Sequence, residues 1–207
     1  TEPIRIDKIF DVAEPWGNKN TNLVLSIAHD GSMTGLWRRC CKGVPNSPAK
    51  LVSSIIYTVR ATNWRDISTW VADSSPALPG IPPDGYEDPY IYPDVKRPGV
   101  YHSLYHAMIG GWHKPRYNNT NVGAHAYSID SGRTWRSTGT AFGLTVEYTD
   151  GSTRDLLRRE RPHLILDQST GEPAYLVSGV SDPWSLEYAT EPSYTLVQPI
   201  KHALVPR

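Results

Sequence analysis

Two carboxylates in this sequence stand within two residues of a proline at the start of an apolar run. Asp88 lies in EDPYIY, and Glu160 precedes Arg161-Pro162 in RERPHLIL. Two carboxyl groups that face one sugar can split a glycosidic bond, with one of them acting as general acid. An acidic residue beside proline is also an ordinary way to begin a strand. Both interpretations are open for each residue alone, and the occurrence of two such entries favours a shared acidic pocket.

Five further side chains could contact a substrate near these acids. Histidine, arginine and tryptophan side chains hydrogen-bond to hydroxyls or carboxylates, or stack on sugar rings. The candidates are His106, His125, Arg161, His163 and Trp112. Alternatively, the first four are ordinary core or surface groups and Trp112 covers the core. The spacing of His102 and His106 would suit zinc, but it implies no third ligand, so we predict neither a metal nor a cofactor.

Alternating apolar runs with turn-forming residues between them dominate the chain, and helical periodicity is nearly absent. In YHSLYHAM the alternation puts His102, Leu104 and His106 on one face of a strand. The segments 73–85 and 110–123 are predicted to be long loops around a repeat-like unit from about Tyr86 to Ser137. The pattern predicts an all-β protein. The strand-like runs cover 22–28, 35–39, 51–60, 90–92, 100–108, 124–129, 144–148, 164–166 and 174–177.

The segment SIDSGRTW, residues 128–135, predicts a tight connection between two strands. Asp130 and Ser131 can bond nearby backbone amides, and Gly132 can supply a positive φ angle. We expect Trp135 to be buried beneath this turn. The segment is therefore assigned a structural role and not a catalytic one.

The overall composition limits the classes of partner. Lys and Arg number 21, and so do Asp and Glu, so the formal net charge is 0. This balance gives no attraction to nucleic acid or to an anionic membrane surface. An uncharged carbohydrate fits it, and 7 Trp and 12 Tyr against 2 Phe suit sugar binding. Asn118 begins a glycosylation acceptor triplet, which favours a secreted or extracytoplasmic protein.

The length suits a single domain, or the C-terminal portion of one, over residues 1–202. The final LVPR resembles a protease-recognition sequence from an affinity tag, so 203–207 are interpreted as a tag remnant. Cys40 and Cys41 are adjacent, and neighbouring Cα atoms lie closer together than an ordinary disulfide prefers, so we expect no bond between them.

The motifs EDPY, ERPHLIL and HAYSIDSGRTW together resemble the five-bladed β-propeller of glycoside hydrolase family 43, over about residues 22–180. The turn also resembles the Asp-box of sialidases. The resemblance implies a β-propeller of four-stranded antiparallel blades that hydrolyses O-glycosyl bonds with inversion. It further implies that Asp88 is the carboxylate that orients the substrate and that Glu160 is the general acid.

Two departures from that family are visible. The family carries a third carboxylate, the general base, on its first blade, and no upstream aspartate stands in the expected Asp-Pro context. The upstream aspartates are Asp7, Asp11, Asp30, Asp66, Asp73 and Asp84. The chain is also short for five blades of about 40–50 residues each. We therefore expect an incomplete propeller that lacks an N-terminal blade or more, with a missing segment or a second copy completing it.

Two other functions fit the same residues. A polysaccharide lyase would use His106 or His125 as base and Arg161 to neutralise a uronic acid carboxylate. A non-catalytic glycan-binding or structural propeller would need no general base. The glycosidase is the first of the three hypotheses.

Overall fold

The computed structural model describes residues 19–43, 52–78, 85–107, 122–181 and 193–200. These residues form antiparallel strands and one 3-10 turn at Ile67–Thr69, and they contain no α-helix. The strands are β1 (Lys19–Ile27), β2 (Met33–Gly43), β3 (Val52–Ala61), β4 (Trp70–Pro76), β5 (Tyr86–Pro93), β6 (Tyr101–Ala107), β7 (Val122–Ser128), β8 (Arg136–Phe142), β9 (Thr145–Glu147), β10 (Thr153–Asp155), β11 (Arg158–Leu166), β12 (Pro173–Ser181) and β13 (Ser193–Pro199).

The strands form three consecutive blades and a small hairpin. Blade 1 has the order β1-β2-β3-β4 and blade 2 the order β5-β6-β7-β8. Blade 3 has the order β11-β12-β13, and β9 pairs with β10. The first strands of neighbouring blades contact each other, β1 with β5 and β5 with β11. The described residues contain no helix that could span a membrane.

Blade 2 lies between blades 1 and 3, and the period-two alternation of β6 turns one row of its side chains toward each neighbour. Tyr105 is fully buried on the face toward blade 1, where it packs with Leu36 and Ile56. Leu104 points to the opposite face and packs with Leu164 and Leu176 of blade 3. Both faces of β6 are therefore covered, which explains why nearly all of its side chains are buried. This confirms the predicted alternation in YHSLYHAM.

The repeat-like unit predicted from about Tyr86 to Ser137 is a four-stranded blade that continues to Phe142. The prediction of a loop over 73–85 was wrong at its beginning, because residues 73–76 belong to β4, in which Pro76 pairs with Tyr57 of β3. Alternation misses β4 because its outer residues are polar serines and an aspartate. Most of the second predicted loop lies outside the described residues, and so do Trp112, the segment 203–207 and the side chains of Cys40 and Cys41.

The turn from Ser128 to Trp135 joins β7 to β8 as expected. The carboxylate of Asp130 accepts hydrogen bonds from the amide and the hydroxyl of Thr134, at 2.8 and 2.6 Å. Gly132 has a φ angle of +80°, and Trp135 is only 5% exposed. The second amide of the turn, that of Gly132, donates to Ser128 Oγ at 2.9 Å, whereas Ser131 itself adopts a positive φ. We expected the side chain of Ser131 to accept a hydrogen bond from a backbone amide, and Ser128 Oγ accepts it instead.

Two arginines in segments that read as runs of charge, RRCCKG (38–43) and RDLLRRER (154–161), point inward. Arg159 in RDLLRRER is 2% exposed, and its guanidinium donates to Gln198 Oε1 at 2.7 Å and lies 4.6 Å from the Phe142 ring centre. Burial lowers the pKa of Arg159 to about 10. Arg38 in RRCCKG forms an ion pair with Glu87 across the contact between blades 1 and 2. Both were missed because a run of charges gives no sign of which member points inward.

Candidate functional site

The first strand of every blade carries the same irregularity near its beginning. The ladders of β1, β5 and β11 each skip two residues, between Thr21 and Val24, Glu87 and Tyr90, and Glu160 and His163. In each bulge one non-glycine residue adopts a positive φ angle. These residues are Asn22 at +56°, Asp88 at +50° and Arg161 at +53°. Three side chains are thereby aimed away from the regular pleat at the place where the first strands meet.

This equivalence revises the pairing of the two candidate acids. Asp88 corresponds to Arg161 and Asn22 in the bulge, whereas Glu160 corresponds to Glu87, the residue before the bulge. The two acids therefore enter the site from positions that differ by one residue. In the sequence the two acids look equivalent because each has a proline nearby. Pro89 directly follows Asp88, whereas Pro162 stands one residue further from Glu160.

Asp88 is the meeting point of all three blades. The side-chain amide of Asn22 in blade 1 donates to its Oδ1, and Arg161 Nε in blade 3 lies 4.0 Å from its Oδ2. Its side chain is 10% exposed. Burial raises the pKa of Asp88, and the negative charges of Glu87 and Glu160 add to this effect, while His106 and Arg161 oppose it. The charge of Glu160 contributes to this shift, but Asp88 is not among the described residues that line the cleft beside Glu160.

Glu87 is a site residue that sequence reasoning missed. Its carboxylate pairs with Arg38 and lies 3.3 Å from Nδ1 of His106. Burial acts to raise the pKa of Glu87, but the hydrogen bond from His106 and the charges of Arg38, His106 and Arg161 together lower it. An ionised Glu87 accepts the bond, so Nδ1 of His106 carries the proton. The sequence holds one sign of this role, because Glu87 directly precedes Asp88. If Asp88 starts a bulge, the residue before it points inward.

Glu160 lines a cleft of about 420 Å³ at the start of blade 3. Its side chain is 27% exposed, and Arg158 Nη1 lies 3.7 Å from its Oε1. Arg161 lines the same cleft with a side chain that is 79% exposed. The other polar lining residues include Ser181, Ser193 and Thr195. Glu160 is thus open to a ligand, whereas Glu87 at the equivalent position of blade 2 is buried.

The predicted substrate contacts divide into two groups. Arg161 lies at the cleft and His106 lies behind Glu87, only 2% exposed. His163 is exposed on β11, with its ring centre 4.3 Å from that of Tyr90. His125 belongs to a different cluster, because its Nε2 is 3.0 Å from Nδ1 of His102. Leu104 lies opposite His125 and separates it from His106 along β6.

The cluster of His125 is a chain of hydrogen bonds that runs across blade 2. Thr138 Oγ1 donates to the carbonyl of His125 at 3.3 Å, so it accepts from Nδ1 of the same residue at 2.8 Å. Nε2 of His125 is then the acceptor for His102, whose other nitrogen lies 3.2 Å from Asp94 Oδ2. Burial and the neighbouring His102 lower the pKa of His125 to about 4. His125 is therefore a neutral, internally bonded side chain.

One group of described residues could hold a metal ion. Glu87, Asp88 and His106 each offer a ligand atom, and these atoms lie within 4.8 Å of one another. The same carboxylates already face the guanidinium groups of Arg38 and Arg161. A cation would have to enter beside two fixed positive charges, so we assign the cluster to the ion-pair network.

The upstream aspartates that the structure describes are engaged elsewhere. Asp30 and Asp66 accept hydrogen bonds from Ser32 and Ser68 in exposed turns. Asp73 pairs with Arg60 at 2.5 Å on blade 1. Asp7, Asp11 and Asp84 lie outside the described residues. At the bulge of blade 1, which precedes the blade of Asp88, the chain supplies the amide of Asn22 in place of a carboxylate.

Comparison with known proteins adds evidence on the fold. No protein-family model and no curated protein sequence matches this chain. A family 117 glycoside hydrolase of the marine bacterium Zobellia galactanivorans has a similar structure, with a TM-score of 0.58, 14% identity and coverage of 95% of this chain and 59% of that enzyme. A thermostable family 43 glycoside hydrolase has a TM-score of 0.54 and 13% identity, over 88% of this chain and 55% of the other.

A third similar structure is the α-L-arabinofuranosidase of Lactobacillus brevis, with a TM-score of 0.53 and 14% identity, over 87% of this chain and 52% of that enzyme. The chain therefore spans little more than half the length of these three proteins. Identities this low show the fold alone. These neighbours are propellers, and the predicted all-β fold is confirmed: the chain has the β-propeller fold, built from antiparallel blades, that glycoside hydrolases of families 43 and 117 have.

Proposed function

We propose that this protein is a carbohydrate-active enzyme, a glycoside hydrolase with Glu160 as general acid and Asp88 as the supporting carboxylate. The observation that carries the proposal is the meeting of the first strands of three blades, with Asp88 at their centre and Glu160 beside an open cleft. Propeller hydrolases among the structural neighbours support the reaction class.

The roles follow from the surroundings of each carboxyl. A general acid must reach the leaving-group oxygen, and Glu160 is the exposed member of the pair. Asp88 is fixed by Asn22 and faces Arg161, which suits a group that orients its neighbours. Burial raises the pKa of Asp88, and the negative charges of Glu87 and Glu160 add to this effect. Such crowding favours keeping one proton within the group of carboxyls.

A glycan panel with a reducing-end assay tests the proposal. We expect Glu160→Gln to lower kcat by roughly 10²–10⁴-fold, because that is the usual contribution of general acid–base catalysis. Binding of the same glycan should change little, since the amide keeps the shape of the carboxyl. Glu147→Gln, an exposed glutamate on β9, is the matched control and should retain full turnover. Equal turnover by the Glu160 and Glu147 variants would refute the assignment.

A non-catalytic glycan-binding propeller is the second candidate. It is favoured by Asn22, because an amide cannot act as the general base at the bulge of blade 1. This protein would bind glycans and release no reducing ends. A lyase would instead produce an unsaturated sugar that absorbs in the ultraviolet. That reaction is less well supported, because His106 is buried behind Glu87 and His125 is bonded to His102.

A further inference from the structure

Arg161 adopts a backbone conformation that its side chain does not favour. Asparagine and aspartate tolerate a positive φ angle because their short side chains bond locally, so Asn22 and Asp88 suit their bulges. Arginine has no such compensation, and its φ angle of +53° is strained. Strain at a cleft is commonly retained for the sake of the side chain that it positions.

The guanidinium of Arg161 faces the Asp88 carboxylate on one side and is otherwise presented to solvent. Its side chain is 79% exposed, and Nε lies 4.0 Å from Asp88 Oδ2, beyond hydrogen-bonding distance. The described residues offer it no hydrogen bond. A planar group with five donors is left available at the mouth of the cleft, in a form that matches carboxylate or sulfate oxygens.

A second cation faces the same cleft. Arg158 lies two strand positions before Glu160, with Nη1 at 3.7 Å from Glu160 Oε1. Among the described lining residues Glu160 is the one carboxylate against two arginines. When Glu160 carries the proton that a general acid needs, the lining has an excess of positive charge. The hydroxyls of Ser181, Ser193 and Thr195 complete a polar wall.

We propose that this cleft binds an anionic glycan, one whose sugar carries a carboxylate or a sulfate group, and that Arg161 is the residue that determines this specificity. The acidic group lies against Arg161, with Arg158 as the second cation, and the sugar hydroxyls face the serines and the threonine. The inference deepens the proposed function by naming a substrate class. It concerns binding, so it stands or fails separately from hydrolysis.

Binding measured by titration calorimetry tests the inference, with the unaltered protein and with Glu160→Gln to prevent turnover. The carboxylate probe is trigalacturonic acid, and its methyl ester is the neutral partner. The sulfate probe is a carrageenan tetrasaccharide, paired with its desulfated form. We expect an acidic probe to bind at least about tenfold more tightly than its neutral partner, because a charge-assisted bidentate contact is strong. Which pair shows the difference identifies the acidic group.

Three variants of Arg161 separate recognition from structure. Arg161→Gln should weaken binding of the acidic probe about tenfold or more, and Arg161→Lys should restore part of it. Arg161→Gly should lose binding equally while unfolding at the same or a higher temperature, because glycine adopts a positive φ without strain. Arg136→Gln, an exposed arginine on β8, is the control and should bind like the unaltered protein.

The possible outcomes are distinct. Equal affinity for acidic and neutral probes, binding of neutral probes alone, or full binding by Arg161→Gln would overturn the inference. Tight binding of an acidic probe without any hydrolysis would support this inference and count against the proposed enzyme. Hydrolysis of neutral glycans with no preference for acidic ones would support the proposed enzyme and contradict this inference.

Discussion

Glu87 and Asp88 are consecutive carboxylates whose pKa values shift in opposite directions. Both are desolvated by burial, but Glu87 has the hydrogen bond of His106 and the pairing charge of Arg38. Asp88 has a neutral amide donor from Asn22 and a more distant arginine, and it also feels the charge of Glu87. The bulge produces this difference, because it turns two neighbouring side chains toward different partners.

Asp88→Asn should stabilise the folded protein at pH 7. A carboxyl whose pKa is raised on folding contributes stability at pH values below its unfolded pKa and loses that contribution as the pH rises through the folded pKa. Asparagine removes the buried charge, still accepts the bond from Asn22, and tolerates a positive φ. Chemical denaturation should show a higher free energy of unfolding for the variant at pH 7, with a gain that shrinks toward pH of about 4.

If the variant is less stable than the unaltered protein at pH 7, the charge of Asp88 is favourable in the fold and our account of its surroundings is wrong. The same variant should lose turnover, since it lacks the supporting carboxylate. A gain in stability together with a loss of activity is the pattern expected of a residue kept for function.

At the scale of single elements, the entry of β5 is fixed by Gly85. A Cβ atom there would lie 2.1 Å from the carbonyl oxygen of Ser54 on β3, and the φ angle is +89°. The hydroxyl of Ser54 donates to the carbonyl of Tyr86 at 2.7 Å, next to the same point. The strand that carries Glu87 and Asp88 therefore begins against the backbone of blade 1.

Gly85→Ala should destabilise the protein by about 2–5 kcal/mol, the sum of a left-handed alanine and an overpacked contact. Gly139→Ala is the matched control, because its φ angle is +99° and nothing lies within 4 Å of the added Cβ. The control should cost about 1–2 kcal/mol from the backbone alone. Unfolding in urea measures both values, and equal losses would show that β5 does not need the close approach.

The histidine chain of blade 2 predicts a sensitivity to acid. His125 has a folded pKa of about 4, below the value of about 6.5 for an unfolded histidine. Its contribution to stability is therefore complete above pH of about 6.5 and is lost as the pH falls toward about 4. In His125→Gln the free energy of unfolding should fall less steeply between pH of about 6.5 and about 4, because about one proton fewer is taken up on unfolding.

Denaturant unfolding at several pH values measures that slope, and His29→Gln, in an exposed turn, is the control for removing a histidine. An unchanged slope in the His125 variant would contradict the assignment of this acid sensitivity to His125. The hydrogen bonds run from Asp94, directly after β5, to Thr138 on β8, so the measured slope reports on the whole of blade 2.

At the scale of the whole molecule, the covered and uncovered faces of the blades differ. Blade 2 is packed on both sides, whereas Ile165, Tyr175 and Val197 of blade 3 are 46%, 44% and 51% exposed. Cross-strand pairing puts Ile165 opposite Tyr175. We infer that this apolar face of blade 3 is where a second copy of the chain packs.

We expect the chain to associate as its concentration rises near pH 7, because its formal net charge is 0 and this apolar face is open. Val197→Lys should reduce the average mass in sedimentation equilibrium toward that of one chain. Val71→Lys, on the exposed edge of blade 1 at 57%, is the control and should associate like the unaltered protein. A single-chain mass for all three proteins at high concentration would contradict the expectation.

Local chemistry determined much of this protein. The period-two alternation of β6 fixed which residues share a face, since a strand turns successive side chains to opposite sides. The turn from Ser128 to Trp135 was predictable because its bonds join residues that are two to four positions apart. The motifs around Asp88 and Glu160 also located two strands that begin at the site.

The tertiary structure alone decided which side chains meet. Asn22 contacts Asp88 across 66 positions of sequence, and Arg38 reaches Glu87 across 49. The bulges decided that Glu160 corresponds to Glu87 and that Arg161 corresponds to Asp88, because a shift of one residue reverses the face to which a strand side chain points. Register and blade packing depend on long-range contacts, and a charge pattern such as RDLLRRER does not reveal that Arg159 is buried while Arg161 faces solvent.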